Sequence, residues 1–215
     1  IAATRSGLAT GPWSLTVVTP GDFYEALISG SFESWWSSGH YSRIPIAMST
    51  MADEHTSSWG NFAMREMSSE PRAAWNNDPA ASYASQLEDT WSDGYAALSE
   101  VRDGLTAIRD MGVEVGEQGQ DTPRAQAFAK FVQGLALGAL ALVFDQAFVL
   151  TEDTDMDAQQ LDDYGTVMLA ALSSLDDAIA VADATAFTVP SAWVGDGGDW
   201  SNTRLAQMAH GYKAR

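Results

Sequence analysis

The chain has 215 residues and a mass of 23.0 kDa, enough for one domain that can bury a core without disulfides or a structural metal. Eleven basic residues against 29 acidic ones give a net charge of −18, which has the wrong sign for attracting nucleic acid. The composition, 46% hydrophobic and 10% aromatic, excludes a disordered acidic polymer, and the lack of cysteine excludes disulfides, thiolate metal sites and a cysteine nucleophile.

The ends of the sequence and its longest apolar run bear on processing and on membranes. The chain starts at Ile1 without a charged region followed by an apolar one, and it stops at Arg215 inside a helical pattern, so we expect further residues at both ends. The longest uncharged apolar run, Gly134 to Phe144, is well short of the roughly 20 residues that cross a bilayer. It predicts a core helix, and we expect no transmembrane segment.

The first predicted element is an amphipathic helix that starts at Thr19-Pro20-Gly21-Asp22. This segment combines a hydroxyl cap, a proline in the first turn and an acid three residues after the cap. The helix ends near Gly39, and its core side is predicted to carry Phe23, Leu27, Phe32 and Trp35. From His40 to Asn77 no periodicity persists, so residues 1–84 are predicted to be one helix and an irregular segment packed on the rest.

Residues 85–215 are predicted to form helical pairs. Apolar residues at steps of three or four predict a helix from Leu87 to Met111-Gly112, where glycine ends it, and a second helix from Asp121-Thr122-Pro123 to about Phe148. In the second helix, Gly134 and Gly138 lie one turn apart and allow another helix to approach closely.

The remaining elements are an acidic connector, a third helix, a glycine-containing loop and a last helix. The third helix is predicted to pack through Tyr164, Met168, Leu172, Leu175, Ile179 and Ala182. Pro190 to Asp199 is the loop, and Ser201 caps the last helix. The sequence thus predicts an all-α fold, a TPR-like helical-hairpin solenoid with long irregular connecting loops in a single compact domain.

The order of these blocks resembles the SusD/RagB family. The resemblance covers roughly residues 85–215, with a weaker match from Ser42 to Trp59, and it rests on the helix around Trp91 followed by four segments: Arg124-Ala-Gln-Ala-Phe128, Phe148-Val-Leu-Thr-Glu-Asp-Thr-Asp155, Leu169-Ala-Ala-Leu-Ser-Ser-Leu-Asp-Asp-Ala178, and Asn202-Thr-Arg-Leu-Ala206 to Tyr212-Lys-Ala-Arg215. It implies a TPR-like scaffold in a non-catalytic lipoprotein at the outer-membrane surface. Such proteins bind a glycan or another oligomeric nutrient and deliver it to a TonB-dependent transporter.

Two departures from that family keep a second hypothesis open. The family's members are usually more than twice as long, and the cysteine that would carry a lipid anchor is absent from this sequence. Helical pairs with uncapped ends can also stack head to tail between copies of one chain and form an open filament. The alternative is therefore a structural extracellular protein that assembles with itself, stabilised by calcium or by glycans.

Catalytic motifs are missing, whereas one acidic segment contains a partial metal-binding pattern. The sequence has no Gly-x-Ser-x-Gly, His-Glu-x-x-His or glycine-rich phosphate loop, so we expect no enzyme activity. Asp153, Asp155 and Asp157 alternate as at the start of a calcium loop, although Ala158 and Tyr164 replace its glycine and glutamate. The alternative interpretation is a solvated acidic connector without Ca²⁺.

The tryptophans in irregular segments are the candidate ligand-binding residues. Flat amphipathic rings stack on sugar faces, and neighbouring amides can hydrogen-bond to hydroxyl groups. The candidates that combine these features, together with one ring in the glycine loop, are Trp59, Asn61, Trp75, Asn76, Asn77 and Trp193. The alternative is that these rings hold long loops against the helical core.

Overall fold

The structure, a computed structural model, describes residues 18–40, 43–55, 63–71, 74, 76, 78–81 and 83–215. The described chain is mostly helical, with two short strand pairs. The helices are α1 (Pro20–His40), α2 (Arg43–Met51), α3 (Met64–Met67), α4 (Ser85–Asp110), α5 (Thr122–Val143), α6 (Tyr164–Ala184), α7 (Ser191–Val194) and α8 (Asn202–Lys213). The strands are β1 (Gln146–Ala147), β2 (Asp162–Asp163), β3 (Thr188–Val189) and β4 (Trp200–Ser201), paired antiparallel as β1–β2 and β3–β4. The all-α prediction is confirmed.

Two of the predicted helix starts, those of α1 and α8, are confirmed by capping hydrogen bonds, whereas α5 starts at Thr122 without a side-chain cap. At α1, the Thr19 backbone N–H donates to Asp22 Oδ2 at 2.9 Å and the Asp22 N–H donates to Thr19 Oγ1 at 3.1 Å, a reciprocal capping box. Ser201 Oγ accepts from the Arg204 N–H at 3.2 Å at the start of α8. Gly112, with φ of 64°, follows α4 in the left-handed conformation that glycine adopts without strain.

Neighbouring helices run antiparallel. Contacts between α5 and α6 join Lys130 to Asp177, Gly134 to Leu175, and Gly138 to Ala171. Residue numbers increase along α5 while they decrease along α6, which is the pattern of antiparallel helices. The same geometry relates α4 to α5, α1 to α4, and α6 to α8. The close approach predicted at Gly134 is confirmed, because a Cβ there would lie 2.6 Å from Leu175 Cγ and 2.9 Å from the Ala171 carbonyl oxygen.

One core joins α1 to the helices of residues 85–215. Ile28 and Trp35 of α1 are buried in the same cluster as Leu98 of α4, Phe128 of α5 and Leu205 of α8. A smaller cluster of Ala47, Ala63, Met64 and Met67 lies against Tyr83. Helix α1 is therefore part of the main core, whereas α2 and α3 contribute to a separate small one.

Two predicted core positions and one helix end are wrong. Phe23 is 56% exposed and Tyr164 is 62% exposed, because the buried stripes of α1 and α6 run instead through Ile28 and through Val167. Helix α5 ends at Val143 rather than near Phe148. The chain leaves the helix there because β1 pairs with β2 and the Tyr95 hydroxyl hydrogen-bonds to the backbone of Phe148.

Helices α5 and α6 are both long and apolar enough to cross a bilayer by length and composition. Within the fold, 67% of the most apolar 18-residue segment of α5 is buried, whereas only 39% of the corresponding segment of α6 is buried. Helix α5 packs against α1, α4, α6 and α8, which agrees with its interpretation as a core helix. The expectation of no transmembrane segment stays a prediction.

Candidate functional site: an aromatic groove between α1, α7 and α8

A groove lined by aromatic rings lies between α1, α7 and α8, with α5 beneath it. Its volume is about 580 Å³, the size that holds a small oligomeric ligand. Four partly exposed rings line it, Phe32, Trp36, Trp193 and Tyr212, with two carboxylates, Glu33 and Asp196, among them. The rings of Phe131 and Trp200 form its floor but are 0% and 5% exposed. We call this surface the aromatic groove.

Helix α1 forms one wall of the groove because its residues repeat at helical spacing. Ser29, Phe32, Glu33 and Trp36 fall on one stripe, so all four face the same side of the helix. Trp35, one position away, points inward and is 2% exposed. Trp36 keeps 45% of its surface exposed and stacks on His40 with ring centroids 4.4 Å apart and planes 14° apart. Partial burial, followed by the positive charge of Arg215, lowers the pKa of His40, which favours its neutral form.

The segment from α7 to β4 forms the opposite wall. Trp193 of α7 is half-buried, with its ring edge-to-face against Phe128 at 5.1 Å. The Asp199 side chain accepts the Ser191 N–H at 2.7 Å, which holds the start of α7. The β3–β4 pairing then places Trp200 against the core, where its ring lies 6.4 Å from Phe131.

The Asp196 carboxylate is fixed in position by its hydrogen bonds. Its Oδ2 accepts from the Trp200 indole N–H at 2.8 Å and its Oδ1 accepts from the Gly197 N–H at 2.7 Å, while Arg204 lies 3.5 Å from Oδ2. The Trp200 hydrogen bond, then those of Gly197 and the charge of Arg204, lower the pKa of Asp196. The groove thus presents a carboxylate that stays ionised and does not have to reorganise on binding.

Of the sequence-predicted ligand residues, the structure places Trp193 in the groove. Asn76 is exposed elsewhere, where its side-chain oxygen accepts the Asp78 N–H at 3.0 Å in a turn. Trp59, Asn61, Trp75 and Asn77 lie outside the described residues. The predicted glycan contacts of the tryptophan rings and asparagine amides between residues 59 and 77 therefore stay a prediction.

The predicted calcium residues lie in the connector between α5 and α6, residues 151–163, which we call the acidic connector. Asp153 is bound by the Arg109 guanidinium, and Asp155 Oδ1 accepts the Asp157 N–H at 3.0 Å. No three His, Asp or Glu side chains of the described chain are grouped so that they could hold a metal ion. The calcium hypothesis stays a prediction without a preformed cluster in this part of the chain.

One acid of the connector is not solvated as the sequence suggests. The Glu152 side chain is 9% exposed and lies 2.6 Å from Lys130 Nζ, with a further hydrogen bond from Gln133 Nε2 at 3.2 Å. Gln133 in turn accepts from Ser174 Oγ at 3.0 Å. Burial alone would raise the pKa of Glu152, but the Lys130 and Gln133 hydrogen bonds and the Lys130 charge outweigh it, and the pKa is lowered. This network fastens the connector to α5 and α6.

A second exposed surface is apolar and lies where α5 ends and α6 begins. Leu142, Tyr164 and Leu169 are 64%, 62% and 69% exposed and border one shallow depression. Asp145 lies at its rim. We call this surface the apolar patch. Contiguous exposed apolar side chains are typical of protein-contact surfaces.

Sequence reasoning missed most of the groove. Trp36 follows the core residue Trp35, and adjacent helical positions point about 100° apart, so its exposure could have been inferred from the helix alone. Phe131 and Tyr212 lie in helical segments where rings ordinarily fill the core, and no local signal marks them as groove residues. Comparisons with protein-family models, with curated proteins and with solved structures found no match to this chain.

Proposed function

We propose that this protein is a non-catalytic binding protein of SusD-like type that captures a glycan or another oligomeric nutrient in the aromatic groove. The single observation that carries the proposal is the groove itself, four partly exposed rings and two carboxylates around one cavity of about 580 Å³. Sugar rings stack their C–H faces on aromatic side chains, and carboxylates accept hydrogen bonds from hydroxyl groups.

The finer architecture that we propose is a TPR-like solenoid of helical hairpins. The antiparallel order of α4, α5, α6 and α8 supports it, because each helix packs on the one before it along the chain. In such a scaffold the connecting segments are free to carry ligand contacts, and the wall from α7 to β4 is one of them. Helix α1 closes the groove from the other side.

We further propose that the protein works at the cell exterior, at the outer-membrane surface, where it passes its ligand to a TonB-dependent transporter. The apolar patch supports a stable contact with another protein, because its three side chains are otherwise left in water. The patch and the groove are formed by different residues. Ligand capture and protein docking can therefore be tested separately.

Affinity electrophoresis in gels that contain neutral, cationic or anionic polysaccharides tests the binding function. We expect retardation by at least one polysaccharide, and we expect Trp36→Ala and Trp193→Ala to remove it. The matched control is Tyr164→Ala, an exposed aromatic residue of the apolar patch that does not line the groove. Retardation by no polysaccharide, or equal retardation of all three variants, would contradict the proposal.

The alternative function is a structural protein that assembles with itself into extracellular filaments. The apolar patch favours it as well, since Leu142 and Leu169 could be buried against a different surface of the next copy, a head-to-tail contact that repeats along a filament. Sedimentation velocity over a range of concentrations, followed by electron microscopy, separates the two functions. Growth of fibres that Leu142→Ser and Leu169→Ser abolish supports the filament, and loss of these fibres in a chelator would implicate calcium. A single sedimenting species at all concentrations argues against the filament.

A further inference from the structure

The charges that line the aromatic groove are all negative. Glu33 comes from α1 and Asp196 from the turn after α7, so the carboxylates come from the two opposite walls. Among the described residues that line the cavity there is no Lys or Arg side chain. An anionic ligand would therefore place its charge next to carboxylates, in a protein whose net charge is already −18.

Two rings of the α7–β4 wall already have cations of the protein against them. The Arg124 guanidinium carbon lies 5.1 Å from the centre of the Trp193 ring, and the Arg204 guanidinium carbon lies 5.5 Å from that of Trp200. Both distances fall within the range of cation–π attraction, where the negative face of the ring meets a positive charge. These two rings are therefore already partnered, and the exposed ring that remains for a cationic group of a ligand is Trp36, which is 45% exposed on the same helical stripe as Glu33.

The two carboxylates differ in how much of their charge is already neutralised. Asp196 has Arg204 at 3.5 Å on one side. Glu33 is exposed, and no cationic partner of its side chain is found among the described residues. Glu33 is therefore the carboxylate with most capacity left for a cation, and it lies on the same helical stripe as Trp36.

We propose that the aromatic groove selects oligosaccharides that carry protonated amino groups, that is, amino-sugar oligomers, over their N-acetylated and acidic counterparts. This inference rests on the proposed glycan-binding function and names its substrate class. The sugar rings supply apolar faces for the aromatic side chains, one ammonium group donates a hydrogen bond to a carboxylate, and one lies over an aromatic ring. N-acetylation removes the charge while it keeps the ring, so the two effects can be measured apart.

Isothermal titration calorimetry with three hexasaccharides tests the inference, at low salt and at a mildly acidic pH where the amino groups are protonated. The probes are the glucosamine hexamer, the N-acetylglucosamine hexamer and the galacturonic acid hexamer. We expect the glucosamine hexamer to bind about tenfold more tightly than the N-acetylated one, from one ammonium–carboxylate contact and one cation–π contact. We expect the galacturonic acid hexamer to bind most weakly of the three.

Variants that remove one negative charge show which carboxylate causes the preference for the glucosamine hexamer. Glu33→Gln should reduce the ratio of the two glucosamine-type affinities to roughly threefold, since one of the two contributions is lost. Asp157→Asn, the matched control, removes the same charge from an exposed position in the acidic connector and should leave the ratio unchanged. An unchanged ratio in Glu33→Gln, or equal losses in both variants, would overturn the inference.

The remaining outcomes separate this inference from the function on which it rests. Binding of the N-acetylglucosamine hexamer as tightly as the glucosamine hexamer overturns the amino-sugar preference but leaves glycan binding in place. Tighter binding of hexalysine than of the glucosamine hexamer means that the groove recognises charge without sugar, which also overturns it. Binding of none of the hexasaccharides or polysaccharides overturns both proposals.

Discussion

The acidic connector and the aromatic groove both contain carboxylates, but the carboxylates are used in opposite ways. In the connector, Glu152 is bound by Lys130 and Asp153 by Arg109, so these charges hold the chain to the helices behind it. In the groove, Glu33 and Asp196 border a cavity whose other walls are aromatic rings. A high density of acids along the sequence therefore does not mark a ligand site. A ligand site is marked instead by a cavity in which a carboxylate lies next to other side chains that can bind the ligand.

The comparison predicts a double dissociation between stability and binding. Changes to the connector network should lower the free energy of unfolding without affecting glycan binding, and changes of exposed groove residues should weaken glycan binding with a smaller effect on the free energy of unfolding.

The largest effect is expected at Lys130. Lys130→Met leaves Glu152 buried and without its cation, so we expect a loss of roughly 2–3 kcal/mol in the free energy of unfolding, somewhat less than for a fully enclosed pair. The control is Lys213→Met, which removes a lysine paired with the exposed Asp176 and should cost less than about 0.5 kcal/mol. Urea unfolding followed by circular dichroism measures both. Equal losses would show that the Glu152 network has no special role.

The next effect is expected at Trp36. Its ring is exposed in the groove, so Trp36→Ala should weaken glycan binding at least about tenfold, equivalent to about 1.4 kcal/mol. The same variant should cost roughly 1 kcal/mol in the free energy of unfolding, less than Lys130→Met, because about half of the Trp36 surface is covered and its ring stacks on His40. Calorimetry and urea unfolding on one preparation give both numbers. If Trp36→Ala lowered the free energy of unfolding but left the glycan affinity unchanged, the role of Trp36 would be structural.

The pH dependence of the free energy of unfolding tests whether the Lys130–Glu152 ion pair stabilises the fold. The pKa of Glu152 is lower in the folded state than in the unfolded chain, so its stabilising contribution is complete above the unfolded pKa and is lost as pH falls through the folded one. The difference in unfolding free energy between the unchanged protein and Glu152→Gln should therefore narrow as the pH is lowered from neutral into that range. A difference that stays constant or widens would contradict the Lys130–Glu152 interpretation.

The smallest effect is expected from calcium. Because Asp153 is bound by Arg109 and Asp155 accepts a backbone N–H, we expect millimolar calcium to leave the melting temperature unchanged. Differential scanning fluorimetry with calcium and with a chelator measures this. A rise in melting temperature that Asp155→Asn and Asp157→Asn remove would confirm the calcium site predicted from the sequence.

The sequence predicted the local features of the fold well. The Thr19–Asp22 box, the Ser201 cap and Gly112 each depend on residues within one helical turn, so their chemistry can be read directly from neighbouring letters. Gly134 was also predicted correctly as a point of close approach between helices.

The features that the sequence did not predict depend on distant partners. Helix α5 ends at Val143 because of β1–β2 pairing and Tyr95, neither of which is near it in the chain. Glu152 looks like one acid among six until Lys130 is brought beside it. The groove combines α1 with residues more than 150 positions later, and of its rings only Trp193 was predicted as a binding residue.

Hydrogen–deuterium exchange with and without a bound glycan shows whether the ligand lies in the aromatic groove, and it does so without changing any residue. The glucosamine hexamer, or the tightest-binding polysaccharide fragment, serves as the ligand. We predict slower exchange in the second half of α1, in residues 191–201 and in α8, with no change in residues 151–163. Protection confined to the acidic connector or to the apolar patch would contradict the assignment of the aromatic groove as the binding site.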